Sequence, residues 1–326
     1  MAVVLVTGGA GYVGSHACKA LAAKGHTPVT YDNLSRGHHT AVKWGPLEVG
    51  DLLEKDRLAD VIARHSPVAV MHFAALAIVS ESVNHPERYF LNNVEGTRNL
   101  LDEMKAANIR RLVFSSTCAI YGIPNTVPIS ESETTKPISP YGESKLRVEQ
   151  MLSLRRELDG LSSIALRYFN AAGADIDGDI GEDHDPEPHL IPNVLNAATG
   201  AKNLTVHGDT YQTRDGTCIR DYIHVSDLAD AHILALNLLE NQFERAATTT
   251  FANLGTGTGY SVLEVIREAE RVTGKAIPFE VGPARAGDPP SLIANGTYAR
   301  DLLGWAPKRS DLSTLITNAW RWHSRS

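Results

Sequence analysis

Tyr141 and Lys145 stand four residues apart in Tyr141-Gly142-Glu143-Ser144-Lys145, and Gly8, Gly11 and Gly14 form a G-x-x-G-x-x-G run near the start of the chain. On a helix, positions i and i+4 share a face, so a phenol and an ammonium would be held one turn apart. Tyrosine ionises at about pH 10 and lysine at about 10.4, so an isolated Tyr141 is a poor base at neutral pH. Lys145 as a cation, and a positive nicotinamide ring nearby, both favour the phenolate. A phenolate can take a proton from a hydroxyl while hydride leaves the same carbon. Thr117, at the end of an apolar run, can hydrogen-bond that hydroxyl. Alone, Tyr141 after Pro140 also reads as an ordinary helix start with a solvated face. The glycine run makes the catalytic reading the better one.

The glycines follow the apolar run Ala2-Val3-Val4-Leu5-Val6-Thr7 and open a helical stretch from Gly11 to Lys24. Glycine there permits a tight turn and close approach of backbone to a pyrophosphate, and the helix start offers its unpaired N–H groups. Asp32 ends the next apolar run, 18 residues after Gly14. A carboxylate there suits the ribose hydroxyls of NAD and repels a 2′-phosphate. Arg36 could bind such a phosphate, and Asp32 beside Asn33 could be a plain turn residue; on balance NAD is favoured over NADP. Asp51, Phe73-Ala74-Ala75, Asn92 and Ser115-Ser116-Thr117 also lie at strand ends or early in helices, where doubly wound sheets border their ligand crevice.

The elements that must position these groups alternate. Strands are expected at Ala2–Thr7, Thr27–Tyr31, Val68–Phe73, Arg111–Ser115 and Ser163–Tyr168. Helices are expected at Gly11–Lys24, Leu52–His65, Tyr89–Ala107 and Tyr141–Leu158. Strands separated by helices imply right-handed crossovers and a parallel sheet. The expected fold is therefore α/β, a doubly wound, Rossmann-like sheet with a smaller C-terminal lobe. Residues 1–172 are expected to form the dinucleotide domain and 173–326 mainly the substrate lobe, with some segments returning to the first domain. In the second part, helices are expected at Asp227–Leu239, capped by Ser226 or Asp227, and at Ser261–Thr273. Gly255-Thr256-Gly257-Thr258-Gly259 reads as a loop before the latter and could hold an anion, and Gly282 to Pro290 reads as a further loop.

The chain has 326 residues, 43% of them hydrophobic, enough for a large core. A net charge of -7, with no basic arm, argues against nucleic acid as a partner. Cys18, Cys118 and Cys218 fit neither a disulfide framework nor a metal pattern, which suits a reducing compartment. No apolar run approaches a bilayer span, and Met1–Thr7 lacks the features of a signal peptide, so no membrane association and a cytoplasmic location are expected.

Several segments together carry a family resemblance: Thr7 to His16, Tyr31-Asp32-Asn33-Leu34, His72-Phe73-Ala74-Ala75, Asn92-Asn93-Val94, Phe114 to Gly122, Tyr141 with Lys145, Leu166 to Asn170, and Arg220-Asp221-Tyr222-Ile223-His224-Val225. On these the chain resembles the extended short-chain dehydrogenase/reductases, and among them the UDP-glucose 4-epimerase family, nearly end to end. The resemblance implies a tightly held NAD, transient oxidation at sugar C4, and return of hydride to the other face of the 4-keto sugar. It implies Thr117, Tyr141 and Lys145 as catalytic residues. It implies a cofactor set of Gly8, Gly11, Tyr12, Val13, Gly14, Asp32, Asn33, Leu34, Ser35, Arg36, Gly37, Asp51, Leu52, Phe73, Ala74, Ala75, Leu76, Ala77, Asn92, Ser115, Tyr141, Lys145, Tyr168 and Phe169. Around a UDP-sugar it implies Thr117, Asn170, His189, Leu190, His207, Arg220, Arg285, Asp288 and Leu292. Arginines also suit a diphosphate as planar bidentate donors, or else pair with Asp221 or Asp288 at the surface. Relatives of this kind are usually homodimers, and the helices at Tyr89–Ala107 and Tyr141–Leu158 could pair into a bundle.

Three positions depart from the family pattern: Ala77 where some members have lysine, His189 where some have an amide, and Leu292 at a gate that others fill with tyrosine or cysteine. Broader acceptance of N-acetylhexosamine or pentose UDP-sugars is therefore an alternative. Glu182-Asp183-His184-Asp185-Pro186-Glu187-Pro188-His189 has metal-like composition, but two prolines and no recognisable ligand spacing, so no metal site is expected. A 4,6-dehydratase or decarboxylase starts with the same oxidation, yet Cys118 and Ala119 stand where a dehydratase keeps an acid. A net sugar-nucleotide dehydrogenase shares the first half-reaction. A non-catalytic sensor of NAD or UDP-sugar would not need the Thr117–Tyr141–Lys145 set.

Overall fold

The structure, a computed structural model, describes residues 2–241, 247–285 and 287–325, so Ala286 of the Gly282–Pro290 loop lies outside the described residues. Its strands are β1 (Val3–Thr7), β2 (Thr27–Asp32), β3 (Leu47–Val49), β4 (Ala69–His72), β5 (Arg111–Thr117), β6 (Ser162–Tyr168), β7 (Asn170–Ala172), β8 (Leu204–His207), β9 (Ile219–Arg220), β10 (Tyr222–His224), β11 (Thr249–Leu254), β12 (Tyr260–Ser261), β13 (Phe279–Gly282) and β14 (Ser291–Leu292). Its α-helices are α1 (Tyr12–Ala23), α2 (Lys55–His65), α3 (Val79–Asn84), α4 (Pro86–Tyr89), α5 (Gly96–Ala106), α6 (Pro140–Asp159), α7 (Leu190–Thr199), α8 (Val225–Asn241), α9 (Val262–Thr273), α10 (Thr297–Leu303) and α11 (Leu312–His323).

Seven parallel strands form the main sheet in the order β11-β6-β5-β4-β1-β2-β3. The chain reverses direction across the sheet between β1 and β4, and a crevice opens at the carboxyl ends of strands at such a switch point. Successive side chains of β1 alternate between faces: Val4 and Val6 join a core with Leu21 of α1, Met71 and Leu236 of α8, whereas Leu5 joins Leu58 of α2, Leu100 and Met104 of α5 and Leu152 of α6. Each such side chain, fully buried, contributes roughly 1.5–3 kcal/mol. Burial on both faces explains the unbroken apolar runs by which these strands are recognised.

Beyond Asn170 the sheets are small. β7 pairs with β10, β9 lies between β12 and β14, and β8 pairs with β13. Helices α7, α9 and α11 enclose a separate core of Ile191, Leu195, Val265, Ile266, Leu315 and Ile316. β11 extends the main sheet beside β6, and α8 packs on α1. Among the described residues, no helix is long and apolar enough to cross a membrane.

Two helices differ from the sequence expectation. The stretch expected as one helix over Tyr89–Ala107 is α4, a π-helical turn over Phe90–Glu95, and α5. Asn93 in that turn accepts from Leu76 N–H at 2.8 Å and donates to Leu76 O and Ser144 Oγ, so the widened turn feeds the cleft. α8 starts two residues before Asp227, because His224 Nδ1 accepts from the Ser226 N–H. The Asp227 carboxylate instead receives the N–H groups of Lys308 and Arg309 and the Ser310 hydroxyl, tying α8 to a distant loop.

Candidate active site

Pro140 opens α6, and Ser139 caps it by accepting from the Gly142 N–H at 3.1 Å. A Cβ on Gly142 would lie 2.6 Å from the Ala119 carbonyl oxygen, so only glycine lets α6 close onto the turn that follows β5. This approach brings Tyr141 to Thr117, whose hydroxyl lies near enough to the phenol to pull its pKa down. Thr117 Oγ1 also accepts from the Ala119 N–H. One turn on, buried Lys145 donates to the Ser115 carbonyl oxygen at 2.8 Å and lies 4.8 Å from the Phe114 ring centroid. Burial pushes the Tyr141 phenol up to about 12, against the pull of the Thr117 hydroxyl. Burial pulls Lys145 down to about 7, opposed by the Glu149 carboxylate. Burial thus works against the charged form of both groups, so the expected phenolate rests on Lys145 together with the positive nicotinamide of a bound NAD.

The glycine loop fits a dinucleotide. A Cβ on Gly8, at φ +74°, would lie 2.5 Å from Ala74 N, and one on Gly14 would lie 2.1 Å from the Gly8 carbonyl oxygen. No side chain caps α1, so the amides of its first turn lack partners within the helix. Asp32 accepts from the Ala10 and Leu34 N–H groups at 3.0 and 2.9 Å, leaving acceptor capacity for ribose hydroxyls. Arg36 donates to both oxygens of Glu81 and to the Asp185 carbonyl oxygen. That commitment removes the cation that a 2′-phosphate would want.

One cavity of about 1280 Å³ is lined by Gly8, Gly11 to Gly14, Asp32, Asn33, Ser35 to Gly37, Asp51, Leu52, Phe73 to Ala77, Asn92, Ser115, Thr117, Tyr141, Lys145, Tyr168 and Phe169. Of the cofactor-side residues chosen from the sequence, Leu34 alone does not line it; this residue takes a left-handed turn at φ 59° whose N–H serves Asp32. The same cavity continues along Asn170, His189, Leu190, His207, Arg220, Arg285, Asp288 and Leu292. Strand pairing assembles this end from distant segments: Leu292 lies opposite Arg220, and His207 opposite Gly282. Arg220 pairs with Asp288 at 2.5 Å across the cleft wall.

Sequence reading missed a buried support behind Lys145. Glu149, one turn further along α6, accepts from Ser116 Oγ at 2.6 Å and from two nitrogens of Arg167, which also donates to Tyr121 OH. The i, i+4 spacing of Lys145 and Glu149 was the available signal. Two further segments are loops, as expected, with contacts that the sequence does not specify. The 182–189 segment curls so that Glu182, His184, Glu187 and His189 converge. In the Gly255–Gly259 loop, Asp221 accepts from the Thr256 and Gly257 N–H groups and the Thr256 hydroxyl, so a carboxylate of the protein occupies the anion position.

Residues 4–247 match the model of the NAD dependent epimerase/dehydratase family. A UDP-glucose 4-epimerase of Rhizobium meliloti (strain 1021) is 52% identical over 325 residues, covering 99% of this chain and 97% of its own. The crystal structure of UDP-glucose 4-epimerase from Brucella ovis in complex with NAD is similar at TM-score 0.95 and 49% identity, over 98% of each chain. The UDP-glucose-4-epimerase from Stenotrophomonas maltophila, with bound NAD and formylated UDP-arabinopyranose, is similar at TM-score 0.95 and 39% identity, over 100% of this chain and 98% of its own. A glycine cradle, a strand-end threonine and a helix-borne tyrosine and lysine thus lie in a chain whose relatives share its full length: the chain belongs to the NAD dependent epimerase/dehydratase family.

Proposed function

We propose that this chain interconverts UDP-glucose and UDP-galactose by reversible inversion at hexose C4, through a transient 4-keto sugar and with tightly bound NAD. The observation that carries the reading is the meeting of Thr117, Tyr141 and Lys145 on the shared wall of one cavity, between a dinucleotide cradle and an arginine-bearing lobe. Full-length relatives named UDP-glucose 4-epimerase, and neighbours holding NAD or a UDP-sugar, support it.

Bound NAD would supply the hydride acceptor for C4 and a second positive charge beside that of Lys145. Tyr141 takes the proton of the C4 hydroxyl through its phenol oxygen, and returns it in the second half-reaction. Thr117 holds both that phenol and the substrate hydroxyl. Lys145, fixed on the Ser115 carbonyl oxygen, keeps a cation near the phenol. Arg220 and Arg285 bind the diphosphate, and Asn170, His189, Leu190, His207, Asp288 and Leu292 bound the nucleotide and sugar. Residues 1–172 serve mainly the cofactor and 173–326 mainly the UDP-sugar. Cys118, whose thiol burial pushes up to about 12, cannot act as the acid of a dehydratase. A half-buried Leu292, packed against the Cys118–Phe169 cluster, supports a second reading in which N-acetylated UDP-hexosamines turn over slowly.

Exposed Val83, Leu91, Leu154 and Leu158, at the surface of α3, the π-helical turn and α6, support a homodimer formed through these helices. The free thiols and the absence of a long apolar helix among the described residues suit a cytoplasmic enzyme.

Incubation of the purified protein with UDP-galactose and no added NAD tests the proposal. Conversion to UDP-glucose is expected. Stoichiometric accumulation of NADH would mean a dehydrogenase, and no conversion would mean a sensor.

A further inference from the structure

Four side chains of one short loop meet where no step of the epimerisation uses them together. Glu182, His184, Glu187 and His189 each turn one ligating atom inward, and all four atoms lie within 4.8 Å of one another. His184 Nδ1 stands 3.2 Å from Glu182 Oε1 and 3.7 Å from Glu187 Oε2. His189 Nδ1 stands 3.6 Å from Glu187 Oε1 and contacts Glu182 Oε1 as well. The two imidazole planes are inclined by 70°, with centroids 5.4 Å apart, so the rings do not stack and their Nδ1 atoms converge on the same carboxylates.

Three of these separations, 3.2, 3.6 and 3.7 Å, match neighbouring vertices of a coordination polyhedron, whereas His189 Nδ1 and Glu182 Oε1 stand closer, in the direct contact of an ion-free pair. A tetrahedral zinc ion with ligands at about 2.0–2.2 Å sets neighbouring ligand atoms about 3.4 Å apart. Two imidazole nitrogens and two carboxylate oxygens suit a borderline divalent ion, and two carboxylates balance its charge. The scaffold around the group is fixed. The Glu182 and Glu187 side chains are only 3% and 6% exposed. Trp322 Nε1 donates to the Glu182 carbonyl oxygen at 3.0 Å, and the Trp322 ring packs so close to Gly181 that a Cβ there would lie 2.4 Å from it. The Tyr12 ring meets His184 edge-on at 6.3 Å. A second carboxylate group nearby behaves differently: Asp175, Asp177 and Asp179 all accept from the Lys19 ammonium at 2.7–2.9 Å, so a side chain of the protein already supplies the cation there.

The geometry points to a closed site for one divalent transition-metal ion of zinc type, held by Glu182, His184, Glu187 and His189 at the rim of the cleft. Four protein ligands leave no open position, so the ion is structural. It fastens the 182–189 loop to the start of α7, whose first residue follows His189 and whose side lines the cavity.

The test uses the full chain as purified with its cofactor, dialysed against chelator and titrated with Co²⁺ alone, then with Zn²⁺. One equivalent of Co²⁺ per chain is expected, with the intense visible bands of a tetrahedral site, displaced by one equivalent of Zn²⁺. His184→Gln is expected to weaken Co²⁺ binding at least about tenfold, and Asp177→Asn to leave it unchanged. Glu187→Gln gives the same readout should His184→Gln not fold. Absence of stoichiometric binding, weak octahedral bands, or a spectrum unaltered by a folded His184→Gln or Glu187→Gln variant would each overturn the assignment. The readout is spectroscopic, so its failure is distinct from a failure of the epimerase reading.

Discussion

Two glycine-rich loops of this chain have opposite fates. Gly8 to Gly14 joins β1 to α1, and no side chain caps that helix. Gly255 to Gly259 joins β11 to β12, and its amides point at Asp221, which also accepts from Ala294 N–H. The second loop turns its N–H groups onto one carboxylate, whereas in the first the Gly8, Ala10 and Gly11 N–H groups serve Tyr31 O, Asp32 and Gly8 O, and it is the uncapped start of α1 that suits an anion. In the second the anion is built in, and burial raises the Asp221 pKa while the loop's donors pull it down. Glycine density therefore says that a backbone cradle exists. Whether the cradle awaits a ligand depends on a residue 35 positions away in sequence, between Asp221 and Thr256.

The sharpest way to stress the contrast is to separate cofactor loading from chemistry. Tyr141→Phe leaves the first loop intact and removes the phenol that meets Thr117. Turnover is expected to fall by roughly 10²–10⁴-fold, the usual worth of a positioned acid–base group, with NAD content and UDP-sugar affinity retained. Near-normal turnover would remove Tyr141 from the mechanism.

Acid acts next most strongly, and through buried histidines of both halves. Burial pulls His16, His224 and His232 down to about 4 and His72 down to about 3. His72 bridges Thr7 of β1 and Thr97 of α5, and His16 lies in α1. A folded-state pKa below the unfolded value of about 6.5 means that the unfolded chain binds more protons in that window. Stability is thus intact above about pH 6.5 and falls as pH drops towards 4, by up to about 1.4 kcal/mol per pH unit for each histidine. Thermal unfolding followed from pH 7 to pH 5 should show several degrees of loss, and a flat profile would contradict the burial of these rings.

Gly14→Ala tests the first loop directly. Its Cβ would lie 2.1 Å from the Gly8 carbonyl oxygen, so the backbone must move. A loss of about 1–3 kcal/mol is expected from such overpacking, together with purification of the protein largely free of NAD. Retention of stoichiometric NAD would mean that the cradle tolerates a side chain.

How much of this was legible in the sequence follows the same division. β1, β2, β4, β5 and β6 are buried on both faces, so their apolar runs are local facts, and the cofactor residues follow them in register. Tyr141 and Lys145 were visible because one helix carries both. The sugar end is made by pairing of short strands such as β9 with β14 and β8 with β13, which have two to four residues each and no periodicity to read. The convergence of Glu182 with His189 and the filling of the second loop by Asp221 are tertiary facts of the same kind. The i, i+4 spacing places Tyr141 and Lys145 on one face, but the burial that raises the phenol and lowers the ammonium is reported only by the three-dimensional surroundings.

The second loop supplies the smallest effect and the finest discrimination. Thr256→Val removes one hydroxyl donor, 2.7 Å from Asp221 Oδ1, and leaves the amides of Thr256, Gly257 and Ala294 in place. With three donors remaining, the carboxylate stays satisfied, and a cost of about 1 kcal/mol is expected from one lost hydrogen bond. NAD content and KM for UDP-galactose should not change, because the loop's anion belongs to the protein. A severalfold rise in KM with unchanged stability would mean that Thr256 reaches the substrate diphosphate instead, and the two glycine loops would then be alike in function as well as in composition.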